Sequence, residues 1–176
     1  MDELSLYRDC VEKSPAKARP HNNFGSILLR RGRLPEAIDE LQAALKIKPG
    51  YADAHYNLGN ALVKQGNLTN GIYHFSEALC RQPGNVKALN NLAATLVLLE
   101  RYPEAIENLK KALVINPTDP DLHRNLAFVM KKHGDLEGAR QHFSRVLEIN
   151  PANEMARRNV EEIERRRQEA GDKQRE

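Results

Sequence analysis

Six histidines, two cysteines and a recurrent asparagine are the side chains whose types and spacing could do chemistry in this chain of 176 residues. His21, His55 and His123 fall at one repeating interval or its double, and His74 and His142 fall at the double. A metal ion needs several donors converging on one point. Residues repeated at long fixed intervals are spread along a chain by repetition, so neither a metal site nor a cofactor is expected from them. Cys10 and Cys80 lie far apart in the chain with no CxxC pairing. They read as two buried free thiols rather than a disulfide. No GxxxxGK[ST], GxSxG or HExxH sequence occurs, and no strand pattern is present to carry a nucleotide fold. No catalytic residue can be assigned, and the chain is expected not to be an enzyme.

The asparagines are different. Asn23, Asn57, Asn91 and Asn125 follow one another at 34-residue intervals, and Asn159 continues the series. An asparagine amide carries an acceptor and two donors, so it can pair with both the C=O and the N–H of a peptide unit. A row of them could hold an extended polypeptide by its backbone without reading its side chains.

The elements that must position this row follow the same period. Pro49, Pro83, Pro117 and Pro151 keep the spacing of the asparagines. We number each unit 1 to 34 from Ala18, Ala52, Val86 and Pro120. Position 8 is then Gly25, Gly59, Ala93 and Ala127, and position 20 is Ala37, Gly71, Ala105 and Ala139. Positions 7, 11, 24 and 28 are large and apolar throughout, for example Phe24, Leu62, Leu109 and Leu147. Positions 4, 7, 8 and 11 fall on one stripe of a first helix, and 20, 24, 27 and 28 on one stripe of a second. Small residues at 8 and 20 let the two helices approach closely. Gly32, Gly66 and Gly134 end the first helix, Pro35 and Pro103 open the second, and the position-32 proline stops it. One helix pair cannot bury both faces alone, so pairs must stack.

The 34-residue period, with its small, large and proline positions, resembles the tetratricopeptide repeat (TPR) family. The resemblance implies an all-α, right-handed superhelical solenoid of antiparallel helix pairs. Four full repeats are assigned to residues 18–51, 52–85, 86–119 and 120–153. Residues 1–17 resemble the second helix of a preceding repeat, which suggests an excised piece of a longer protein. Residues 154–168 read as a polar capping helix, and 169–176 as a disordered tail. Three departures should soften packing locally: histidine at position 4, Glu100 at position 15, and Val146 at position 27.

In such a fold the first helices line a concave face, and positions 2, 6, 9 and 13 share its stripe. The asparagine series at position 6 resembles the ladder in the groove of the O-linked N-acetylglucosamine transferase repeats. The resemblance implies a peptide-binding face comprising Asn23, Asn57, Asn91 and Asn125, with Asn60 and Phe128 at position 9. Arg30, Lys64 and Lys132 join them at position 13. Phe128 is an anchor for an apolar side chain, or else packs against the capping helix. Basic residues outnumber acidic ones at positions 2 and 13, which favours an acidic ligand. The clamp that chaperone-binding members use for a terminal carboxylate is absent, since position 6 is never Arg and position 5 is never Lys.

The formal net charge of +3 is spread along the chain until the tail, and aromatics make up only 5% of residues, so no nucleic-acid footprint is present. The Arg165–Arg167 run reads as a solvated helix end. The longest apolar run, 92–99, is far short of a membrane span. The expected function is a soluble, cytoplasmic protein-interaction scaffold that binds another protein or peptide. Two alternatives stay open: the non-catalytic repeat region of a larger enzyme such as a glycosyltransferase, and a module that self-associates through its N-terminal end.

Overall fold

A computed structural model describes residues 3–172. Residues 173–176, expected to belong to a disordered tail, lie outside the described residues. Among the described residues the chain forms ten α-helices: α1 (Glu3–Lys13), α2 (Ala18–Arg30), α3 (Leu34–Ile47), α4 (Ala52–Lys64), α5 (Leu68–Arg81), α6 (Val86–Leu98), α7 (Tyr102–Ile115), α8 (Pro120–His133), α9 (Leu136–Ile149) and α10 (Glu154–Asp172). They fall into two compact bodies, Met1–Thr95 and Leu96–Glu176, divided within α6.

Two devices recur at the helix starts. Asn67, Asp119 and Asp135 cap α5, α8 and α9 by accepting from first-turn backbone N–H groups. The α3 and α7 starts have no side-chain cap. Instead they carry Pro35 and Pro103 in the first turn, where no backbone donor is lost. Arg101 there grips Glu104 with two bonds of 2.6 Å, and Arg33 pairs with Glu36 in the same way.

The first helices all stop alike. Position 15 is left-handed in each repeat: Gly32 (φ 76°), Gly66 (φ 90°), Glu100 (φ 57°) and Gly134 (φ 94°). That turn aims the following N–H back at the position-11 carbonyl. The bonds are Arg33 to Leu28 at 3.0 Å, Asn67 to Leu62 at 2.8 Å, Arg101 to Leu96 at 3.0 Å and Asp135 to Met130 at 2.9 Å.

In the N-terminal body α1 packs on α2, α2 on α3, α3 on α4, and α4 on α5. The partners run antiparallel, because His55 meets His74 near one end of α4 while Val63 lies over Gly71 near the other. The core holds Phe24, Leu28, Ala37, Leu41, Leu58, Ala61 and Leu62, with Leu4, Tyr7 and Val11 of α1 against it. Position 8 must be small here. A Cβ at Gly59 would sit 2.8 Å from two ring atoms of the fully buried Phe75.

In the C-terminal body α7 packs on α8, α8 on α9, and α9 on α10. Ala105, Leu109, Leu126, Ala127, Ala139, Phe143 and Ile163 are buried. Val146, expected to soften its site, is wholly buried there. The last helix continues past the expected end at 168, to Asp172. Pairs at i,i+4 sustain it, including Arg166–Glu162 at 2.6 Å and Arg165–Glu169 at 3.9 Å. The Arg165–Arg167 run is thus a paired, solvated surface; Arg167 reaches Glu137 of α9 at 2.6 Å.

The expectation of two buried thiols is corrected: Cys10 and Cys80 are both free and exposed. Cys80 occupies position 29, the outward stripe that also holds the exposed Lys46, Val114 and Glu148. Cys10 shares position 27 with the buried alanines. Its counterpart Ala44 is covered by the first-helix residues Ala18 and Ala54, whereas α1 packs mainly against α2.

Glu100 is the strained stop. A non-glycine residue in this conformation costs roughly 1–2 kcal/mol, part of which glycine returns as unfolded-chain entropy. Glu100→Gly should therefore stabilise the chain by about 0.5–1 kcal/mol, read as a higher urea midpoint at unchanged slope. No gain, or a loss, would show that the Glu100 side chain offsets its own strain.

Candidate peptide-binding face and the polar links that brace it

The asparagine series comes to the surface of the first helices half-buried, and its amides are already engaged. In the N-terminal body Asn57 Nδ2 donates to Asn22 Oδ1 at 3.0 Å, on the preceding first helix. Asn22 is itself buried and donates to Asn23 Oδ1 at 3.5 Å. Asn91 Nδ2 donates to Asn60 Oδ1 at 2.7 Å and approaches the Tyr56 hydroxyl at 3.4 Å. Position 6 thus braces its repeat against positions 5 and 9 of the repeat before. Asn57 still has a carbonyl oxygen and a second N–H to offer a ligand, and Asn91, with both N–H groups engaged, has its carbonyl oxygen. Sequence reasoning misses Asn22 and Tyr56, although both occupy position 5 on the flank of the same stripe.

The basic edge is also mixed. Arg30 is exposed but pairs with Glu3 at 3.3 Å, beside an Arg31–Glu3 contact at 3.1 Å. Lys64 is exposed at the end of α4. Next to Asn23 lies a cavity of about 420 Å³ lined by Tyr7, Cys10 and Pro20, with Lys13, Lys17 and Arg19 at its rim.

In the C-terminal body Asn125 is half-buried on α8, and Lys132 lies two turns further on, at the margin of the same stripe. Phe128 between them is about one-third exposed, and its ring stands edge-on to Phe143 of α9, with centroids 5.1 Å apart. Leu98 is 63% exposed. Asn159, in register with the series, accepts from Lys131 Nζ at 2.8 Å, and Lys131 also pairs with Glu162 at 2.6 Å.

The histidines do converge, but in pairs. Position 4 meets position 23 within a repeat, so the expectation that they stay apart is corrected. His55 Nδ1 lies 2.9 Å from His74 Nδ1, and His123 Nδ1 lies 3.0 Å from His142 Nδ1. In the first repeat Glu40 takes the outer place, with Oε2 2.7 Å from His21 Nδ1. The other ring nitrogen, Nε2, points in all three to the carbonyl of a position-32 proline: Pro15 at 3.0 Å, Pro49 at 2.8 Å and Pro117 at 3.0 Å. A carbonyl only accepts, so Nε2 carries the proton. The position-4 histidine is therefore the partner of a carbonyl at the end of the preceding second helix, which an apolar residue could not satisfy. Burial, reinforced by the neighbouring His55, pushes His74 down to about 4, against a slight upward pull from Glu77. Burial lowers His142 likewise, helped by His123 and Lys110 and opposed by Asp135. Among the described residues no group of three or more His, Cys, Asp or Glu could hold a metal ion, and no helix is long and apolar enough to cross a membrane.

The same arrangement of helices recurs in solved proteins. The structure of YrrB, a TPR protein with an unusual peptide-binding site, superposes with a TM-score of 0.82 at 24% identity, over 92% of this chain and 84% of that one. MamA from Desulfovibrio magneticus RS-1 gives 0.74 at 20% identity, over 87% and 98%. The Cut9–Hcn1 hetero-tetramer of the APC/C gives 0.77 at 20% identity, over 91% of this chain and 32% of that one. At these identities the likeness establishes the fold. No curated protein matches by sequence. The family model for the TPR repeat matches residues 25–66 and 95–134, and that for the tetratricopeptide repeat matches 120–153. Together they span more than half of a chain whose period, left-handed stops and small-residue contacts agree with them, and the chain belongs to the tetratricopeptide repeat family.

Proposed function

We propose that this chain is a non-catalytic protein-interaction scaffold that grips an extended polypeptide by its backbone on the face formed by the first helices. In the N-terminal body the grip falls to Asn23, Asn57 and Asn91, with Asn60 and Lys64 beside them. In the C-terminal body Asn125, Phe128 and Lys132 form a corresponding face. The carrying observation is the state of Asn57 and Asn91. Each is fixed to the neighbouring helix through its Nδ2, which orients the amide; Asn57 keeps a carbonyl oxygen and an N–H to pair with a peptide unit, and Asn91 keeps its carbonyl oxygen. An amide held this way loses less rotamer entropy when a ligand arrives.

The rim of Lys13, Lys17 and Arg19 around an apolar cavity beside Asn23 supports an acidic segment carrying an apolar side chain. Lys13 is partly neutralised by Asp9 at 2.7 Å, which leaves most of the attraction to Lys17 and Arg19. The YrrB likeness adds that this arrangement of helices is compatible with a peptide-binding site.

A short fluorescent acidic peptide, titrated at low salt, separates gripping from bracing. Asn57→Ala with Asn91→Ala should weaken binding by about tenfold or more, the loss of roughly one net hydrogen bond per site. Asn22→Ala removes a brace without removing a rung. It should lower stability by about 1–2 kcal/mol and leave affinity within about twofold. Equal affinity losses in the two variants would show that the asparagines act only by holding the repeats together. Lys17→Glu with Arg19→Glu should weaken the acidic peptide and spare a neutral one of the same length; equal loss of both would remove the charge preference.

A further inference from the structure

The paired histidines carry an inference independent of peptide binding. Their hydrogen-bond partners fix where the protons are. In His55 and His123 the Nε2–H donates to a proline carbonyl, so in the neutral ring Nδ1 is bare. The outer ring must then donate from its own Nδ1. The result is a short relay running from the second helix, through the first, to the proline carbonyl that ends the preceding second helix. Ring centroids 5.2 Å apart in both pairs leave no room for a solvent layer between them.

We propose that the His55–His74 and His123–His142 pairs are proton-sensitive latches, closed when both rings are neutral and opened by acid, which loosen the second and fourth repeats while the first repeat holds. One proton on the outer ring leaves the Nδ1–H···Nδ1 bond intact but places a charge in a half-buried site. A second proton puts two N–H groups nose to nose at 2.9 Å in one pair and 3.0 Å in the other, and breaks the relay. The charges bearing on His74 are His55 on α4 and Glu77 on its own helix. Those bearing on His142 are His123 on α8, Lys110 on α7 and Asp135 at the start of α9.

The first repeat shows the opposite device. Glu40 and the Pro15 carbonyl are both acceptors for His21, so no second imidazole faces it there. The third repeat has Leu89 and Asn108 in these places, and Asn108 bonds its own helix at the Glu104 carbonyl. Acid sensitivity is thereby assigned repeat by repeat through one residue, position 23.

The sign follows from the outer ring. Folded His74 resists protonation down to about 4, whereas an unfolded histidine binds a proton near 6.5. Between those values the unfolded chain holds more protons, so stability is full above about pH 6.5 and falls as the pH drops toward 4. From pH 7.5 to 5.0 this one site should raise the unfolding constant by about ten- to thirtyfold.

Two measurements on the whole chain test the latch. Ring ¹⁵N spectra of the unaltered protein should show His55 and His123 as Nε2–H tautomers, with the His74 ring still neutral at pH 5.5. Urea unfolding at pH 7.5 and 5.0 should then be compared for the native chain and for His74→Gln with His142→Gln. A glutamine N–H can serve the bare Nδ1 without taking up a proton, so the variant should lose clearly less stability on acidification. Parallel losses in the two proteins, or a proton found on His55 Nδ1 in the neutral ring, would overturn the proposal. His74→Glu with His142→Glu, copying Glu40, should shift the balance further and make the variant relatively more stable at pH 5.0.

Discussion

The structure rests on how closely two helices of one repeat can approach. At the crossing, position 8 of the first helix faces positions 20 and 24 of the second, and the space there is already filled. A Cβ on Gly25 would lie 2.7 Å from Leu41, and one on Gly59 would lie 2.8 Å from the Phe75 ring. The polar contacts within a repeat depend on that approach. The position-4 and position-23 side chains lie about one turn from the crossing, and their ring nitrogens come within hydrogen-bond distance because the backbones are held together beside them. Were the helices pushed apart by a single larger residue, the histidine contacts would open before the apolar core did, since a hydrogen bond weakens steeply with distance whereas dispersion is shared over many atoms.

Two polar devices then join one repeat to the next. The position-4 histidine satisfies the carbonyl of the proline that ended the previous second helix. In the N-terminal body the position-6 asparagines Asn57 and Asn91 each tie their first helix to the one before it. Both act where a helical stack is weakest, at orphan carbonyls and along a solvent-facing seam that apolar residues cannot line. Buried polar side chains are costly when unpaired, and His21, Asn22, His55, Thr95 and His123 are all buried. Each has a partner, and no buried side-chain nitrogen or oxygen among the described residues is left without one. The histidines at position 4, which look like departures from an apolar pattern, are therefore a second solution to the same site. Leu89 is the apolar one, and it too is buried.

The fold is almost wholly legible in the sequence because its determinants are local and repeated. A proline in every period, small residues at two fixed positions and a left-handed stop can be read along one line of text, and among the described residues they mark where the helices begin and end. Glu100 stands out in the sequence as an irregular stop, and its positive φ shows why: the turn geometry is imposed by the repeat even where the residue resists it. Which side chains meet across helices is not legible in the same way. Sorting the histidines by the period that separates equivalent positions hides the contact between positions 4 and 23, which belong to different helices of one repeat. Cys80 misleads for a related reason. Its residue type suggests burial, while position 29, shared with lysine and glutamate, points outward.

The asparagine series shows that a bracing bond need not exhaust a side chain's hydrogen-bonding capacity. An amide has one acceptor and two donors, and bracing uses one donor in Asn57 and both in Asn91. The bond from Asn57 to the buried Asn22, and that from Asn91 to Asn60, immobilise the side chain and fix which way its oxygen faces. A lysine or serine in the same place could brace or bind, but it could not do both with a fixed geometry: lysine has no acceptor, and a hydroxyl has one donor. Asparagine at this position is thus compatible with both uses at once. The brace lowers the ordering cost of a ligand contact, so under the function proposed above a residue that holds the repeats together would also be prepared to hold a peptide.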